Sequence, residues 1–187
     1  MKEVFEGKSV SVVGNARSLF DKTYGQEIDD HDVVLRMNKA AVLYTRKDAY
    51  ISHGSKTDIW VFWNTAEYKS MFKNIPSHVK KMHAGHQGRT PNNLHLVDFV
   101  YPDHGLYREL KRKAGRHNNP TTGLITLDYI SNCEPVHVDV YGFDWKETAT
   151  FTDPEKKRER ICPHDYETEK AYCMKTFFSR ENYILKT

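Results

Sequence analysis

The sequence predicts a single α/β domain over residues 1–187, an α/β/α sandwich built on a mostly parallel, twisted sheet. Two observations lead there. Short β-branched runs recur and stop on Gly or Asn, as strands buried on both faces do. Between them lie helix-compatible stretches of roughly 10 to 15 residues, and strands alternating with such segments build parallel sheets covered on both sides. One core suffices at this length, burying about 70% of the surface the unfolded chain exposes.

In chain order, KSVSVVG (8–14) opens the sheet, a β-branched run ending on Gly. DVVLRMN (32–38), TDIWVFW (57–63), NLHLVDFV (93–100) and VHVDVYGF (136–143) repeat the type. Helices are expected over AEYKSMFKNI (66–75), HGLYRELKRKA (104–114) and TTGLITLDYISN (121–132), and from about 166 to 178, where Asp165 is placed to cap the first turn. The softest stretches are 44–56, 83–93 and 146–163, and the last is a candidate mobile lid. In parallel sheets such loops gather beyond the carboxyl ends of the strands, where ligands bind.

Composition narrows the function classes. A net charge of +3 excludes a basic coat for nucleic acid on charge alone. No run approaches the ~18 apolar residues of a membrane span, and MKEVFEGKSV has no signal-peptide core, so a soluble, cytoplasmic protein is expected. Cys133, Cys162 and Cys173 show no metal-ligand spacing and cannot all pair within the chain, which suits a reducing compartment. Basic residues cluster at Lys111, Arg112, Lys113 and Arg116, and at Lys156, Lys157 and Arg158. Such runs form solvated faces or, beside a site, contacts to phosphate or acceptor.

Several residues could carry chemistry. Gly14 allows a sharp turn after the first strand, and Asn15 follows with an amide that both donates and accepts. Asn38 ends the second strand in the same way, so two fixed amides would stand at one sheet edge, suited to phosphate oxygens or ribose hydroxyls. Pro120, Thr121, Thr122 and Gly123 open a helix whose unpaired amides and dipole favour an anion; simple threonine capping uses the same residues. Tyr141, Gly142 and Phe143 close a strand and could hold a flat base. His164 precedes a helix start, whose field disfavours imidazolium, so it reads either as a neutral proton acceptor or as a solvated or capping residue.

Taken together and in order, these segments resemble the sialyltransferase family. VSVVGNARSLFDKTYGQEIDDHDVVLRMNKA (10–40) looks like its large sialylmotif, with VVGN, G-x-x-ID-x-HD and R-x-N. NPTTGLITLDYISNCEPVHVDVYGF (119–143) looks like the small sialylmotif, and His164 with Glu169 matches the terminal H-x-x-x-x-E. HGSKTDIWVF (53–62) also resembles the segment after the large motif.

The resemblance implies a Rossmann-like, GT-A-like fold and a metal-independent, inverting glycosyltransferase with a CMP-activated sugar as co-substrate and no cofactor. It would place Asn15, Ser18 and Asn38 at the donor's phosphate and ribose, Thr121, Thr122 and Gly123 against the donor, and Tyr141, Gly142 and Phe143 beside cytidine. His164 would be the catalytic base, with Glu169, Asp165 and His31 in orienting or structural roles. Animal members pair a cysteine of the large motif with that of the small one; Cys133 keeps the latter position, but Val10 stands at the former. The third motif, an aromatic patch with His, has Phe151 as its nearest remnant, and Lys156, Lys157 or Arg158 could take over its phosphate contact. A compact bacterial or viral enzyme without stem or anchor is expected, acting on a glycan or lipid-linked saccharide. Two alternatives stay open: a phage-type DNA-modifying transferase acting on a hydroxylated base, and a non-catalytic nucleotide-binding module.

Overall fold

The computed structural model describes residues 2–45, 47–63, 71, 75–86, 98–101, 104–115, 119–148 and 164–186. Seven strands form one sheet: β1 (Ser9–Val13), β2 (Val33–Met37), β3 (Ile59–Phe62), β4 (Lys80–His86), β5 (Asp98–Tyr101), β6 (His137–Tyr141) and β7 (Tyr183–Lys186). All neighbours pair in parallel, in the order β5-β4-β3-β2-β1-β6-β7. The helices are α1 (Gly25–Asp29), α2 (Tyr50–His53), α3 (His104–Lys113), α4 (Thr122–Ser131) and α5 (Tyr166–Thr176). Among the described residues no helix is long and apolar enough to cross a membrane.

The period-two alternation of each strand divides the sheet's faces. Val10, Val12, Leu35, Val61, Val138 and Val140 pack with Leu110 of α3, Leu124 and Ile130 of α4, and Cys173 of α5 in the main core. On the other face Trp60 and Phe62 join Ile75 and Val79, while Val13, Val34 and Tyr141 pack with Ile28 of α1. The sheet is therefore covered on both sides, as buried parallel strands require.

Strand order positions the site. From β1 the chain builds outward through β2 to β5, then returns to the other side of β1 with β6 and β7. Connections diverge at the β1/β6 junction, which leaves a crevice beyond their carboxyl ends. The two strands close up there. A Cβ on Gly14 would stand 2.4 Å from the Gly142 carbonyl oxygen, and Gly142 has φ +66. Ala16 N–H donates to that same carbonyl at 3.2 Å.

Much of the 25–38 segment is spent on the scaffold. Arg36 is fully buried, with Nε donating to Thr57 Oγ1 at 2.9 Å and Nη2 to the His53 carbonyl at 2.7 Å. Burial pulls its pKa down to about 10, so it stays a cation. Asp29 accepts the backbone amides of Ser55 and Lys56 at 2.7 and 2.9 Å, and Asp32 accepts that of Ser9 at 2.9 Å.

The expected strands and helices at 8–14, 32–38, 57–63, 104–114, 121–132, 136–143 and 166–178 are all present within a few residues. Two strands were not expected. KKMHAGH carries two lysines and a glycine, and half of it lies in the stretch expected to be soft (83–93), yet it pairs with β3 as β4. YILK is only four residues long, and it forms β7 because β6 offers it a hydrogen-bonding edge. The expected strand over 93–100 is β5 from residue 98; 93–97 lie outside the described residues. So do most of the expected helix 66–75 and residues 149–163 of the candidate lid.

Candidate active site

The carboxyl ends of β1, β2 and β6 and the amino ends of α4 and α5 enclose a cleft of about 280 Å3. Its wall carries Asn15, Asn38, Thr121 to Gly123, Gly142 to Lys146, His164 and Glu169. Local chemistry sets each of them. Asn38 leaves β2 in the left-handed region at φ 49, and its carbonyl accepts Trp60 Nε1–H at 2.9 Å. Asp144 organises the turn after β6: its carboxylate accepts Lys146 N–H at 3.0 Å and Thr148 N–H at 2.9 Å. Trp145 and Lys146 are held there at φ 48 and 67. Three of the four non-glycine residues with positive φ among the described residues thus line this cleft, and strain of this kind persists where the surroundings enforce it.

Asn15 Oδ1 and Asn38 Oδ1 are buried and have no hydrogen-bond partner among the described residues. Each orphaned acceptor costs roughly 1–3 kcal/mol, so two in one cleft mark where a ligand with donors belongs. Across from them Thr121 caps α4, its Oγ1 accepting Leu124 N–H at 3.1 Å. Thr121 N–H donates to both Glu169 oxygens, at 3.0 and 3.1 Å. The Thr122 and Gly123 amides that follow have no acceptor among the described residues and stand at the positive end of a ten-residue helix.

His164 Nδ1 lies 2.6 Å from the Asn119 carbonyl oxygen. A carbonyl can only accept, so Nδ1 carries the proton and the neutral ring has its lone pair on Nε2. Burial holds the His164 pKa below its usual 6.5, the Asn119 bond opposes that in part, and Lys146 adds to the lowering. Glu169 is 2% exposed, and burial pushes its carboxyl up to about 7 against the pull of its Thr121 bonds. The cleft therefore combines orphaned amide oxygens, free helix-start amides and a neutral imidazole.

Asn15, Asn38, Thr121, Thr122, Gly123, Gly142, Phe143, His164 and Glu169, scattered over the sequence, meet in this cleft. Gly123 is small because an aromatic ring occupies the space a side chain would take. Phe143 packs on it, and a Cβ there would stand 2.7 Å from Phe143 Cε1. Tyr141 does not reach the cleft. Period-two alternation turns it to the opposite sheet face, where it is fully buried and its hydroxyl donates to Glu27 Oε1 at 3.0 Å and Asp139 Oδ2 at 3.3 Å. Ser18 lines an adjoining cavity of about 350 Å3 that shares the Gly142 to Trp145 wall.

Asp165 caps α5, accepting Thr168 N–H at 3.1 Å, and His31 is buried beside Asp139 on the far sheet face. Lys111, Arg112 and Lys113 lie on α3 and do not line the cleft; Lys111 Nζ reaches Asn119 Oδ1 at 3.2 Å, and Lys113 pairs with Glu109 at 2.9 Å. Arg116, Lys156, Lys157 and Arg158 lie outside the described residues. Sequence reasoning missed Trp145, Lys146 and Tyr166 as lining residues. The Asp-x-x-x-Thr turn at 144–148 was the available signal, since Asp favours bonding to amides just ahead of it.

The profile of glycosyltransferase family 29 (sialyltransferase) matches residues 6–103, half of the chain. The chain belongs to the sialyltransferase family. A CMP-N-acetylneuraminate-beta-galactosamide-alpha-2,3-sialyltransferase 1 of Gallus gallus is 39% identical over 71 residues, covering 38% of this chain and 19% of that protein. A beta-galactoside alpha-2,6-sialyltransferase 2 of Pan troglodytes is 26% identical over 167 residues, covering 72% of this chain and 31% of that protein. This sialyltransferase-family chain thus spans about a third or less of the length of these two relatives. A mammalian sialyltransferase crystal structure has the same fold, with TM-score 0.66 and 20% identity over 96% of this chain and 69% of that one. Another was solved in complex with Gal-beta-1-3GalNAc-ortho-nitrophenol, with TM-score 0.66 and 20% identity, covering 99% of this chain and 71% of that one.

Proposed function

We propose that this family member transfers sialic acid from CMP-sialic acid to a hydroxyl of a glycan, with inversion and without a catalytic metal, in a Rossmann-like, GT-A-like frame. The observation that carries this reading is the pairing, in one cleft, of two orphaned asparagine oxygens with an imidazole whose Nε2 is left as the base. Asn15 and Asn38 accept from ribose hydroxyls or the cytosine amine. The free amides of Thr122 and Gly123, at the positive end of α4, hold the phosphate and take up the charge that grows on it as CMP departs. Lys146 adds positive charge to the same wall. This supply of donors is why the chemistry requires no metal.

His164 Nε2 takes the proton of the acceptor hydroxyl as its oxygen bonds to the anomeric carbon, and the bond from that carbon to the CMP oxygen breaks on the opposite face. Nδ1–H, held by Asn119, stabilises the imidazolium formed. Glu169 ties α5 to the first amide of α4 and so keeps base and phosphate site in register. A reducing cytoplasm suits the free thiols of Cys133 and Cys173. Among the described residues, the basic cluster of Lys111, Arg112 and Lys113 lies off the cleft wall and lends no support to a DNA acceptor.

The test is His164→Ala, assayed for transfer from CMP-sialic acid to β-galactosides alongside CMP binding. Turnover is expected to fall by roughly 10²- to 10⁴-fold while CMP affinity stays within a small factor. Unchanged turnover removes His164 from the mechanism.

A further inference from the structure

We propose that His31, His137 and Asp139 form a binding site for a divalent transition metal of the zinc class, on the sheet face opposite the cleft. One ligand atom from each lies within 4.8 Å of the others. His137 and Asp139 are two residues apart on β6 and so project to the same side. His31, just ahead of β2, meets them there. His31 Nε2 is 3.3 Å from Asp139 Oδ2, and His137 Nε2 is 2.9 Å from Asp139 Oδ1. A tetrahedral zinc holding imidazole nitrogens and carboxylate oxygens at about 2.0–2.2 Å puts adjacent ligand atoms roughly 3.3–3.6 Å apart. The His31–Asp139 separation falls in that range, and the His137–Asp139 contact, a hydrogen bond in the metal-free chain, opens by a few tenths of an ångström on binding.

The second ring nitrogen of His31 gives independent support. Nδ1–H donates to the Glu27 carbonyl at 2.8 Å, the arrangement that orients a metal-binding histidine and leaves Nε2 as the ligand. Ser11 is the register partner of Asp139 on β1, is fully buried, and its Oγ has no partner among the described residues, so it can bond a metal-bound water. His31 and Asp139 are buried at 8% and 4% exposure, whereas His137 is about one-third exposed and leaves a way in.

Lys186 Nζ and Tyr141 OH also face Asp139 Oδ2, at 3.6 and 3.3 Å. Both keep a partner when the carboxylate turns to a metal: Lys186 Nζ lies 2.7 Å from Glu27 Oε1, and Tyr141 OH donates to the same oxygen at 3.0 Å. Two imidazoles and a carboxylate suit zinc, copper or nickel rather than magnesium or calcium. The metal would tie the entry of β2 to β6 across β1. None of this depends on the glycosyl-transfer reading, because none of the three ligands lines the cleft.

The test is calorimetric titration of the chelator-stripped full chain with zinc ion. One saturable equivalent should bind. His137→Ala should lose more affinity than the roughly 10- to 100-fold cost of an outer partner. The exposed control His78→Ala should bind like the wild type. Failure of the wild type to bind one saturable equivalent, or unchanged affinity in His137→Ala, overturns the proposal. Should His137→Ala not fold, cobalt(II) added to the wild type decides: ligand-field bands without a thiolate charge-transfer band support the site, and a thiolate band places the metal on cysteine and overturns it.

Discussion

Replacing Glu169 by glutamine tests how the cleft is held together. In the folded chain this carboxyl is raised from 4.5 to about 7, chiefly by burial. An acid whose folded pKa lies above its unfolded value binds its proton more tightly when folded, so stability falls as pH rises from 4.5 to 7. At 1.36 kcal/mol per pH unit, the loss is about 3 kcal/mol. The glutamine of Glu169→Gln would still offer an amide oxygen to Thr121 N–H but has no proton to lose. Urea denaturation from pH 5 to pH 8 should therefore show the wild type losing about 2.5 kcal/mol of that relative to Glu169→Gln, equivalent to roughly 5 to 10 °C in Tm for a chain of this size. Comparing the two cancels every other titrating group, His164 included. Parallel profiles would refute the assignment of Glu169 as a buried, desolvated acid.

Further outcomes follow from the packing. Gly123→Ala should force the Phe143 ring into the cleft, costing about 1–3 kcal/mol as overpacking does and weakening CMP, and Phe143→Leu in the same chain should restore both; urea curves and CMP titrations of the single and double variants read this. Tyr141→Phe removes one hydroxyl donor from Glu27 and Asp139, which keep Lys186, His31 and His137, and should cost about 0.5–1.5 kcal/mol with CMP affinity unchanged, whereas a loss of CMP affinity would return Tyr141 to the donor site.

The fold was legible wherever burial on both faces produced short β-branched or apolar runs, as in SVSVV and IWVF. It was illegible where tertiary pairing overrode composition: KKMHAGH and YILK are strands because a neighbouring edge satisfies their amides. In the site, residues at strand ends and helix starts were readable because their positions fix their geometry, which is how Asn15, Asn38, Thr121 and His164 were found. Tyr141 was misplaced because its adjacency to Gly142 and Phe143 outweighed the alternation that turns it to the other face. Trp145 and Lys146 went unread although Asp144 and Thr148 mark a turn there, because the left-handed backbone that sets them against the cleft is not written in their own residue types. The fit between Gly123 and Phe143 joins positions twenty apart and belongs to packing rather than pattern.

The most direct test of the account is a calorimetric comparison of CMP, UDP and GDP binding to the wild type, Asn15→Ala and Asn38→Ala. CMP should bind selectively, and each substitution should weaken it by about 2- to 10-fold, the worth of a neutral hydrogen bond of about 0.5–1.5 kcal/mol. Equal affinity for the three nucleotides, or CMP affinity untouched in both variants, would contradict it.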